Sequence, residues 1–505
     1  MNSDRRNDDV GDKMMKENNP LQRSTPLIFE HSRPGRRGTA VPAADVTTRP
    51  LEELLPKSAL RNEPPALPEV PEHQVVRHFT AMSLKNHHVD KAFYPLGSCT
   101  MKYNPKVNEL TARLPGLADL HPFQPTSAVQ GALRLMWELG EMLKEIAGMD
   151  AITLQPAAGA QGEFVGALLF RAYHTANGNP RKKVIIPDSA HGTNPATVRM
   201  AGYETIQLAS NAEGRMDPAA LEAALDEDVA GVMLTNPNTL GKFESEIEKI
   251  AKLVHDSGGL LYMDGANLNA SMGITRPGDM GYDIVHINLH KTFSTPHGGG
   301  GPGAGPVAVK EHLAPYLPIP ILQRAEDGDY SLDWDRPTSI GKVHGFWGNF
   351  GVLVRAYTYI RMLGPKGIEA TARTAILNNA YISARLDKTY GLPYGRGMHE
   401  SVFSGVALKE YGIRTLDVAK RLLDFGMHAP TVYFPLIVAE AIMVEPTETE
   451  TKEELDRFCD AMLQIAEEAA EDPEFVKNAP YTTPVRRLDE AGASRHPNVR
   501  YTEEG

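Results

Sequence analysis

Short apolar runs that each end in a polar cluster recur between residues 152 and 309 and predict the strands of a mostly parallel sheet. The runs alternate with glycine-rich turns and helix-like stretches, which is the pattern of α/β proteins. Because parallel strands are joined by right-handed crossovers, their carboxyl ends are expected at one edge of the sheet. Ligands of open α/β sheets bind at that edge, so a binding site is expected there.

The polar and apolar pattern changes on both sides of this region. Residues 1–75 are polar, charged and rich in proline, and they predict an extended or partly disordered N-terminal arm. From about residue 390 the pattern predicts a smaller α+β unit. The predicted organisation is an arm at 1–75, a large α/β domain at 76–330, a connecting helical segment at 331–389 and a small C-terminal α+β domain at 390–505.

Individual elements outside the central sheet can also be predicted. Apolar positions at helical spacing predict an amphipathic helix at 129–149 and a second helix at 347–363. In the C-terminal unit, apolar runs predict strands at 433–438 and 441–444. A helix is predicted at 453–470, with Leu455, Phe458, Met462 and Ile465 on its inner face.

Lys291 is the first candidate for chemistry. It closely follows the β-branched run Ile284 to Ile287 and precedes a glycine-rich stretch that ends at Gly301. This setting suits Schiff-base formation, in which a lysine amine holds pyridoxal phosphate (PLP) until a substrate amine displaces it. Taken alone, a solvated lysine at a strand end is the commoner explanation.

Asp264 strengthens the PLP interpretation. It ends the apolar run Gly259 to Met263, 27 positions before Lys291. An Asp at the carboxyl end of a buried parallel strand points into the ligand crevice, where it can pair with the pyridine nitrogen of PLP and make the ring an electron sink. The alternative is an Asp that caps the following turn.

A third candidate is the small-residue stretch around Gly159 and Ala160, which precedes the apolar helix-like run Phe164 to Phe170. The free N–H groups at the start of a helix favour an anion, so Gly159 and Ala160 can bind a phosphate through their backbones. The stretch matches neither GxxxxGK[ST] nor GxGxxG. A tight loop with close helix packing explains it equally well when it is taken alone.

Two further polar clusters follow apolar runs. His191 follows the run 183–187 and can stack on a flat cofactor, whereas Thr235 or Asn236, after the run 229–234, can hydrogen-bond its phenolic oxygen. A loop histidine satisfied by its neighbours is the alternative for His191. The convergence of five clusters on strand and helix ends favours a shared crevice.

Composition narrows the class of protein. With 505 residues, 41% of them apolar, the chain can bury large cores, and no apolar run is long enough to span a bilayer. The net charge of −12 without a basic block argues against nucleic acid as a partner. Two cysteines make no disulfide framework, and residues 1–12 mix arginines with acids, so the cytoplasm is the expected location. No metal site is predicted.

Several strings of this sequence resemble the P-proteins of the glycine cleavage system, glycine dehydrogenase (decarboxylating). Among these, the chain is most similar to the second, PLP-carrying subunit of the split bacterial form. The resemblance covers nearly the whole chain from about residue 27. The segments that carry it are Asn288 to Pro306, Gln155 to Glu163, Ser189 to Pro195, Thr235 to Gly241, Phe93 to Lys102, Tyr433 to Val438, Glu445 to Glu450 and Thr483 to Asp489.

The resemblance implies a fold and an activity. The fold would be the aspartate-aminotransferase-like fold of PLP enzymes, fold type I. The activity would be that of an oxidoreductase, glycine dehydrogenase (aminomethyl-transferring), which decarboxylates glycine and transfers its aminomethyl group to the lipoyl arm of the H-protein. The family roles place PLP on Lys291, the ring nitrogen at Asp264, the ring face at His191, the phosphate at Gly159 and Ala160, and the ring oxygen at Thr235 or Asn236.

The resemblance also implies partners. A chain of this length is similar to only the C-terminal half of the fused P-protein, so a separate subunit 1 and a heterotetramer of two plus two subunits are expected. One departure concerns residues 396–402, where Ser401 stands in place of an aromatic residue, and no site role is assigned to His399. Two alternatives remain at this point: another fold type I PLP enzyme, such as an aminotransferase or amino-acid lyase, and a non-catalytic scaffolding paralogue.

Overall fold

The computed structural model describes residues 25–500 except 39, 41, 64, 299 and 300. Contacts between residues divide the chain into two units, one of residues 1–88 with 480–505 and one of residues 89–479. Residues 1–24 of the predicted arm lie outside the described residues. Every predicted site residue belongs to the second unit.

The described part of the first unit consists of short helices and irregular chain. Its one long helix, Glu72–Lys85, begins after Pro71, so the helix starts within the last residues of the predicted arm. Ser32 and Glu69 are joined because the Glu69 N–H donates to the Ser32 hydroxyl at 2.9 Å. The remaining elements are the 3₁₀ helices Ile28–His31 and Lys57–Ala59 and the helices Leu51–Leu54 and Glu490–Arg495.

The second unit is built on a seven-stranded sheet in the order β1-β7-β6-β5-β4-β2-β3. Strands β2 to β6 run parallel, whereas β7 is antiparallel to both β6 and β1. The predicted mostly parallel sheet is therefore confirmed. The strands are β1 Ala151–Thr153, β2 Lys183–Pro187, β3 Glu204–Leu208, β4 Val229–Thr235, β5 Leu260–Gly265, β6 Ile284–Ile287 and β7 Val307–Val309.

Helices bury the sheet because its central strands are apolar on both faces. Every residue of β4, β5 and β6 is buried. Helix Gly159–Ala176 packs very closely on the sheet, since a Cβ at Gly166 would overlap the Tyr262 ring. The other helices associated with the sheet region are Lys106–Ala112, Pro115–Ala118, Gln130–Ala147, Asn194–Met200, Pro218–Ala224, Ile247–Asp256 and Leu289–Thr292, with 3₁₀ turns Thr126–Ala128, Leu268–Ala270, Pro277–Met280 and Glu311–Tyr316.

The predicted amphipathic helix at 129–149 is confirmed as Gln130–Ala147. Its buried side includes Leu139 and Leu143, both fully inaccessible to solvent. The helix ends at Gly148, whose φ of 67° is a left-handed conformation that glycine adopts without a steric penalty.

A second, antiparallel sheet forms in the C-terminal part of this unit. Its three strands are β10 Ser401–Ser404, β11 Thr431–Val432 and β12 Ala441–Val444, in the order β10-β12-β11. The strand predicted at 441–444 is confirmed, as is the helix, observed as Lys452–Glu471 with all four predicted apolar positions buried. Further elements are the hairpin β8 Ile321–Arg324 and β9 Tyr330–Asp333, the helices Thr415–Asp424 and Pro473–Lys477, and the 3₁₀ helix Val406–Tyr411.

The strand predicted at 433–438 is wrong. Strand β11 ends at Val432, and residues 433–438 form turns. Two local features explain the error. Tyr433 has a φ of 58°, outside the extended region, and Pro435 has no N–H to donate to a strand ladder. An apolar composition alone therefore did not distinguish this loop from a strand.

The helix predicted at 347–363 is confirmed as the first part of a longer helical stretch, which is broken where the predicted helix ends. It runs over Phe350–Tyr390 and is interrupted at Gly364, where φ is 61° and Pro365 follows. Proline lacks the N–H needed for the regular helical hydrogen bond, which accounts for the break. The predicted domain limits at residues 75, 330 and 389 stay predictions. Among the described residues, no helix combines the length and apolar composition needed to cross a membrane.

Candidate active site

The predicted site residues gather at the carboxyl ends of β4, β5 and β6. Strand register places Thr235 opposite Asp264 and Asp264 opposite His286. Residues that face each other on neighbouring parallel strands point to the same side of the sheet, so these three side chains form one row. The row lies at the edge where the sequence pattern predicts a ligand site.

Lys291 lies four residues beyond the end of β6, in the short helix Leu289–Thr292. Its side chain is buried, with 7% of the residue exposed. The amine donates a hydrogen bond of 2.8 Å to the backbone carbonyl of Ser98. A buried lysine held by a backbone carbonyl rather than by a carboxylate is not the surface residue of the commoner explanation.

Asp264 is fully buried and carries the negative charge of the site. Its Oδ1 accepts the Ala266 N–H at 2.9 Å and lies 3.3 Å from His286 Nε2, and its Oδ2 accepts from Asn194 and Thr235 at 3.4 Å each. Burial opposes ionisation of this carboxyl, but the two neighbouring histidine rings, the Ala266 N–H and Lys291 prevail, so the pKa of Asp264 is lowered.

A second carboxyl, Glu163, lies beside Asp264 in the opposite charge state. Burial, followed by the charge of Asp264, raises the pKa of Glu163 to about 8. Two neighbouring carboxyls whose pKa values separate in this way hold one proton and one negative charge between them at neutral pH. Glu163 therefore keeps the proton while Asp264 stays ionised.

His191 is connected to Glu163 through Thr193. The Thr193 hydroxyl donates to Glu163 Oε1 at 2.8 Å and lies 2.9 Å from His191 Nδ1. Burial lowers the pKa of His191, so its ring is neutral at pH 7. A neutral imidazole ring that is held in orientation by the Thr193 hydroxyl can pack its flat face against a ligand without burying a charge.

Gly159 and Ala160 occupy the first turn of helix Gly159–Ala176, as predicted for a phosphate-binding position. Ala160 is exposed, and no side chain among the described residues caps this helix start. A Cβ at Gly159 would lie 2.6 Å from Asn288 Oδ1, so a larger residue would displace the Asn288 side chain or the helix start. The first N–H groups of the helix are available to an anion.

The two candidates for the ring oxygen differ in their surroundings. Thr235 lies beside Asp264, whereas the Asn236 amide donates to the Tyr282 hydroxyl at 3.2 Å and accepts the Glu244 N–H at 3.2 Å. Asn236 thus makes two hydrogen bonds that fix the turn after β4.

The loop that carries Ser98 also meets a cluster of buried acids. Glu400 accepts hydrogen bonds from Ser98, and Glu445 accepts from Thr100. Burial, followed by the charge of Glu445, raises the pKa of Glu400 well above its usual range, and burial likewise raises the pKa of Glu445. His399, to which the sequence assigns no role, lies in this cluster, and burial lowers its pKa to about 3.

Lys102, at the end of the same loop, is fully buried beside the site. Its amine donates to Glu448 Oε1 at 2.8 Å, to Asn269 Oδ1 at 2.7 Å and to the Thr292 carbonyl at 3.0 Å. Because Thr292 follows Lys291, this buried ion pair holds the short helix that carries the candidate anchor.

Sequence reasoning missed several of these residues. Glu163 lies one helical turn after Gly159, and that spacing was a signal that could have found it. His286 becomes a neighbour of Asp264 only through strand register. Ser98 lies 193 residues before Lys291, and Glu400 lies 302 residues after Ser98. No local sequence pattern marks either residue as part of the site.

Solved structures of other proteins share this fold. The structure is similar to a solved glycine decarboxylase (P-protein) of the glycine cleavage system in inhibitor-bound form, with a TM-score of 0.68 and 22% identity over 82% of this chain and 94% of that chain. It is also similar to Oryza sativa TDC solved with PLP and tryptamine, with a TM-score of 0.62 and 13% identity over 92% and 96% of the two chains. These similarities confirm the predicted α/β fold of the aspartate-aminotransferase-like class, fold type I.

Sequence comparison identifies the family. The glycine cleavage system P-protein profile matches residues 45–331, and the profile of the glycine dehydrogenase C-terminal domain matches residues 371–481. The chain is 60% identical over 481 residues to the probable glycine dehydrogenase (decarboxylating) subunit 2 of Chloroherpeton thalassium, which covers 94% of this chain and 98% of that protein. It is 57% identical to the protein of the same name from Caldanaerobacter subterraneus, over 95% of this chain and 100% of that protein. The chain belongs to the glycine cleavage system P-protein family.

Proposed function

We propose that this chain is the PLP-carrying subunit that decarboxylates glycine in a glycine cleavage system. The observation that carries the proposal is the pair of Lys291 and Asp264, a buried amine and a buried ionised carboxyl at the ends of neighbouring strands in a P-protein chain. Burying a charged group costs free energy, so a buried ionised carboxyl together with a buried amine marks a candidate functional site, and this pair lies where fold type I sheets bind ligands.

The residues at the sheet edge fit PLP. Lys291 supplies the amine for a Schiff base, and Asp264 supplies an ionised acceptor for the N–H of a pyridine ring. The backbone N–H groups of Gly159 and Ala160 supply an anion site for the phosphate. The half-buried ring of His191, whose pKa is lowered by burial, suits the face of a flat cofactor.

The ring oxygen of the cofactor is assigned to Thr235 or Asn236. Support is stronger for Thr235, whose hydroxyl lies 3.4 Å from Asp264 and therefore in the same row. The Asn236 amide is already used by Tyr282, so we assign it the role of fixing the turn that presents Thr235.

When bound, PLP supplies an electron sink for the pair of electrons left on glycine as carbon dioxide departs. The task of Asp264 is to remain ionised and hold a proton on the ring nitrogen, and its low pKa suits that task. If glycine took the place of Lys291 on the cofactor, the Lys291 Nζ would be available to hold or move a proton. Glu163 keeps its own proton, so Asp264 is the ionised member of this pair of carboxyls.

The acceptor of the aminomethyl group is proposed to be the lipoyl arm of the H-protein. One sulfur of the lipoyl disulfide would take the aminomethyl group and the other would become a thiol, so the disulfide is reduced as glycine is oxidised. The relatives are named subunit 2, and we propose a companion subunit 1 in a heterotetramer of two plus two subunits. The cytoplasmic location stays a prediction.

Exchange of labelled bicarbonate into the carboxyl group of glycine tests this proposal. The purified chain with subunit 1 and lipoylated H-protein is expected to catalyse the exchange, and Lys291→Ala is expected not to. An aminotransferase or amino-acid lyase would give no exchange and would instead act on another amino acid without the two partners. A scaffolding paralogue would bind its partner with no exchange and no covalent PLP, and either result would refute the proposal.

A further inference from the structure

The loop formed by residues 97–102, here called the Ser98 loop, holds a backbone conformation that ordinary residues avoid. Ser98 has a φ of 57° and Thr100 a φ of 44°. A Cβ makes this left-handed region unfavourable, so such residues persist only where their surroundings hold them. Strain of this kind concentrates at functional sites, and the Ser98 carbonyl is the group that accepts the Lys291 amine.

One buried carboxyl holds Ser98. Glu400 Oε2 accepts the Ser98 N–H at 2.6 Å, and Glu400 Oε1 accepts the Ser98 hydroxyl at 2.9 Å. Glu400 is completely buried and also accepts from the Asn267 amide at 3.3 Å. Because the Ser98 N–H and hydroxyl both donate to Glu400, the peptide group between residues 97 and 98 is fixed in orientation.

A second buried carboxyl repeats this arrangement two residues later. Glu445 Oε2 accepts the Thr100 N–H at 2.9 Å, and Glu445 Oε1 accepts the Thr100 hydroxyl at 2.5 Å. Glu445 directly follows strand β12, and Glu400 directly precedes strand β10, which pairs with β12. The two acids therefore stand on one rigid antiparallel sheet.

The same acids and His399 have the spacing of a metal site. His399 Nε2 lies 3.8 Å from Glu400 Oε1 and 4.0 Å from Glu445 Oε1, and neither ring nitrogen has a hydrogen-bond partner among the residues that the structure describes. However, both carboxyls already receive an N–H and a hydroxyl from the Ser98 loop. Because these N–H and hydroxyl groups already occupy the carboxyl oxygens, the two acids are better suited to holding the loop than to binding a cation.

We propose that Glu400 and Glu445 are positioning residues, which hold the Ser98 loop so that the Ser98 carbonyl aims the Lys291 amine at the reacting carbon of the cofactor. This inference rests on the proposed function, because it takes Lys291 as the anchor of PLP. In this proposal the small antiparallel sheet carries the two acids, and the acids in turn fix the geometry of Lys291 at the edge of the large sheet. Neither acid contacts the cofactor in this role.

The rate at which PLP becomes covalently attached to the cofactor-free full chain tests the proposal. Absorbance follows attachment, and borohydride reduction with peptide mass spectrometry locates the adduct. Glu400→Ala and Glu445→Ala are expected to slow attachment at Lys291 by about tenfold or more, because a misplaced reacting group loses rate steeply. Glu400→Gln keeps an oxygen for the Ser98 N–H and is expected to recover most of the rate.

Asp283→Ala is the matched control. Asp283 is a buried acid that accepts the Leu261 N–H at 2.7 Å, but it lies at the opposite end of β6 from Lys291. Its removal should lower stability without slowing attachment. If Asp283→Ala slows attachment as much as Glu400→Ala does, the effect is general destabilisation and the proposal is overturned.

Unchanged attachment rates in both alanine variants would also overturn the proposal. If those variants do not fold, the double variant Ser98→Ala, Thr100→Val removes the two hydroxyl donors and leaves both acids and both backbone N–H bonds in place. A slowing smaller than that of the alanine variants is expected from it, and an unchanged rate overturns the proposal. Attachment in the wild type separates the two hypotheses. No adduct at Lys291 in the wild type refutes the proposed function, whereas a normal wild type with unaffected variants refutes only this inference.

Discussion

The Lys291 amine donates its hydrogen bond to the backbone carbonyl of Ser98, a residue 193 positions earlier in the chain. Ser98 in turn donates its N–H to Glu400, 302 positions further on. Three distant segments therefore meet at one amine. The position of the candidate anchor therefore depends on contacts that link the edge of the large sheet with a residue next to the small antiparallel sheet.

Replacing Asp264 by Asn is expected to separate cofactor attachment from catalysis. The amide cannot carry the negative charge that holds a proton on a pyridine nitrogen, but it leaves the Lys291 amine in place. We expect glycine–bicarbonate exchange to fall by about a hundredfold or more, while borohydride still fixes PLP to Lys291. Asp283→Asn, a buried acid at the other end of β6, should retain exchange. Full activity in Asp264→Asn would contradict the role given to this carboxyl.

Replacing Glu163 by Gln is expected to change how stability depends on pH. The folded pKa of Glu163 is about 8, above the ordinary value of 4.5, so the folded state binds more protons than the unfolded state between these values. The free energy of unfolding contributed by this group is therefore lost as pH rises from about 4.5 to about 8.

We expect the cofactor-free Glu163→Gln variant to gain stability relative to wild type as pH rises through that window, measured by denaturant unfolding at several pH values. Glu222→Gln, on an exposed position of helix Pro218–Ala224, is the control and should follow wild type. A stability difference for Glu163→Gln that does not change with pH would contradict the raised pKa.

Replacing Gly159 by Ala tests the phosphate-binding helix start. The new Cβ would lie 2.6 Å from Asn288 Oδ1 and 2.9 Å from its Nδ2, so either the buried Asn288 side chain or the helix start must shift. We expect a loss of about 1–3 kcal/mol in stability and weaker binding of PLP by roughly tenfold, measured by equilibrium titration.

Gly131→Ala provides the comparison for that variant. Gly131 also lies in the first turn of a helix, Gln130–Ala147, and a Cβ there meets nothing within 4 Å. It should leave PLP affinity unchanged and stability equal or slightly higher, because alanine favours helix over glycine. Equal affinities in Gly159→Ala and Gly131→Ala would remove Gly159 from the site.

The buried pair of Lys102 and Glu448 makes a prediction about stability. Their side chains are 1% and 10% exposed and their charged atoms are 2.8 Å apart. Lys102→Met leaves Glu448 without its cation, and we expect a loss of about 3–5 kcal/mol in denaturant unfolding. The double variant with Glu448→Gln should recover part of that loss. Strictly additive losses in the two single variants and the double variant would show that the pair is not coupled.

Local sequence patterns predicted the parts of the site that lie at the ends of apolar runs. Asp264 lies near the carboxyl end of the buried strand β5, Lys291 follows β6, and Gly159 begins a helix, so the rules for strand ends and helix starts apply directly. The same reasoning failed at residues 433–438, where the φ of Tyr433 and the missing N–H of Pro435 override an apolar pattern.

The remaining parts of the site depend on long-range register and packing. His286 meets Asp264 because β5 and β6 pair in one particular register, and the Ser98 loop reaches Lys291 from outside the sheet. The role of Glu400 required both the loop and the small sheet to be in place. No periodicity within a short window contains that information.

Mass spectrometry of the borohydride-reduced holoprotein tests the central claim most directly. The account predicts that the reduced cofactor is found on the peptide containing Lys291, and that Lys291→Ala carries no adduct. An adduct on any other side chain of the wild type, or an unchanged adduct in Lys291→Ala, would contradict it.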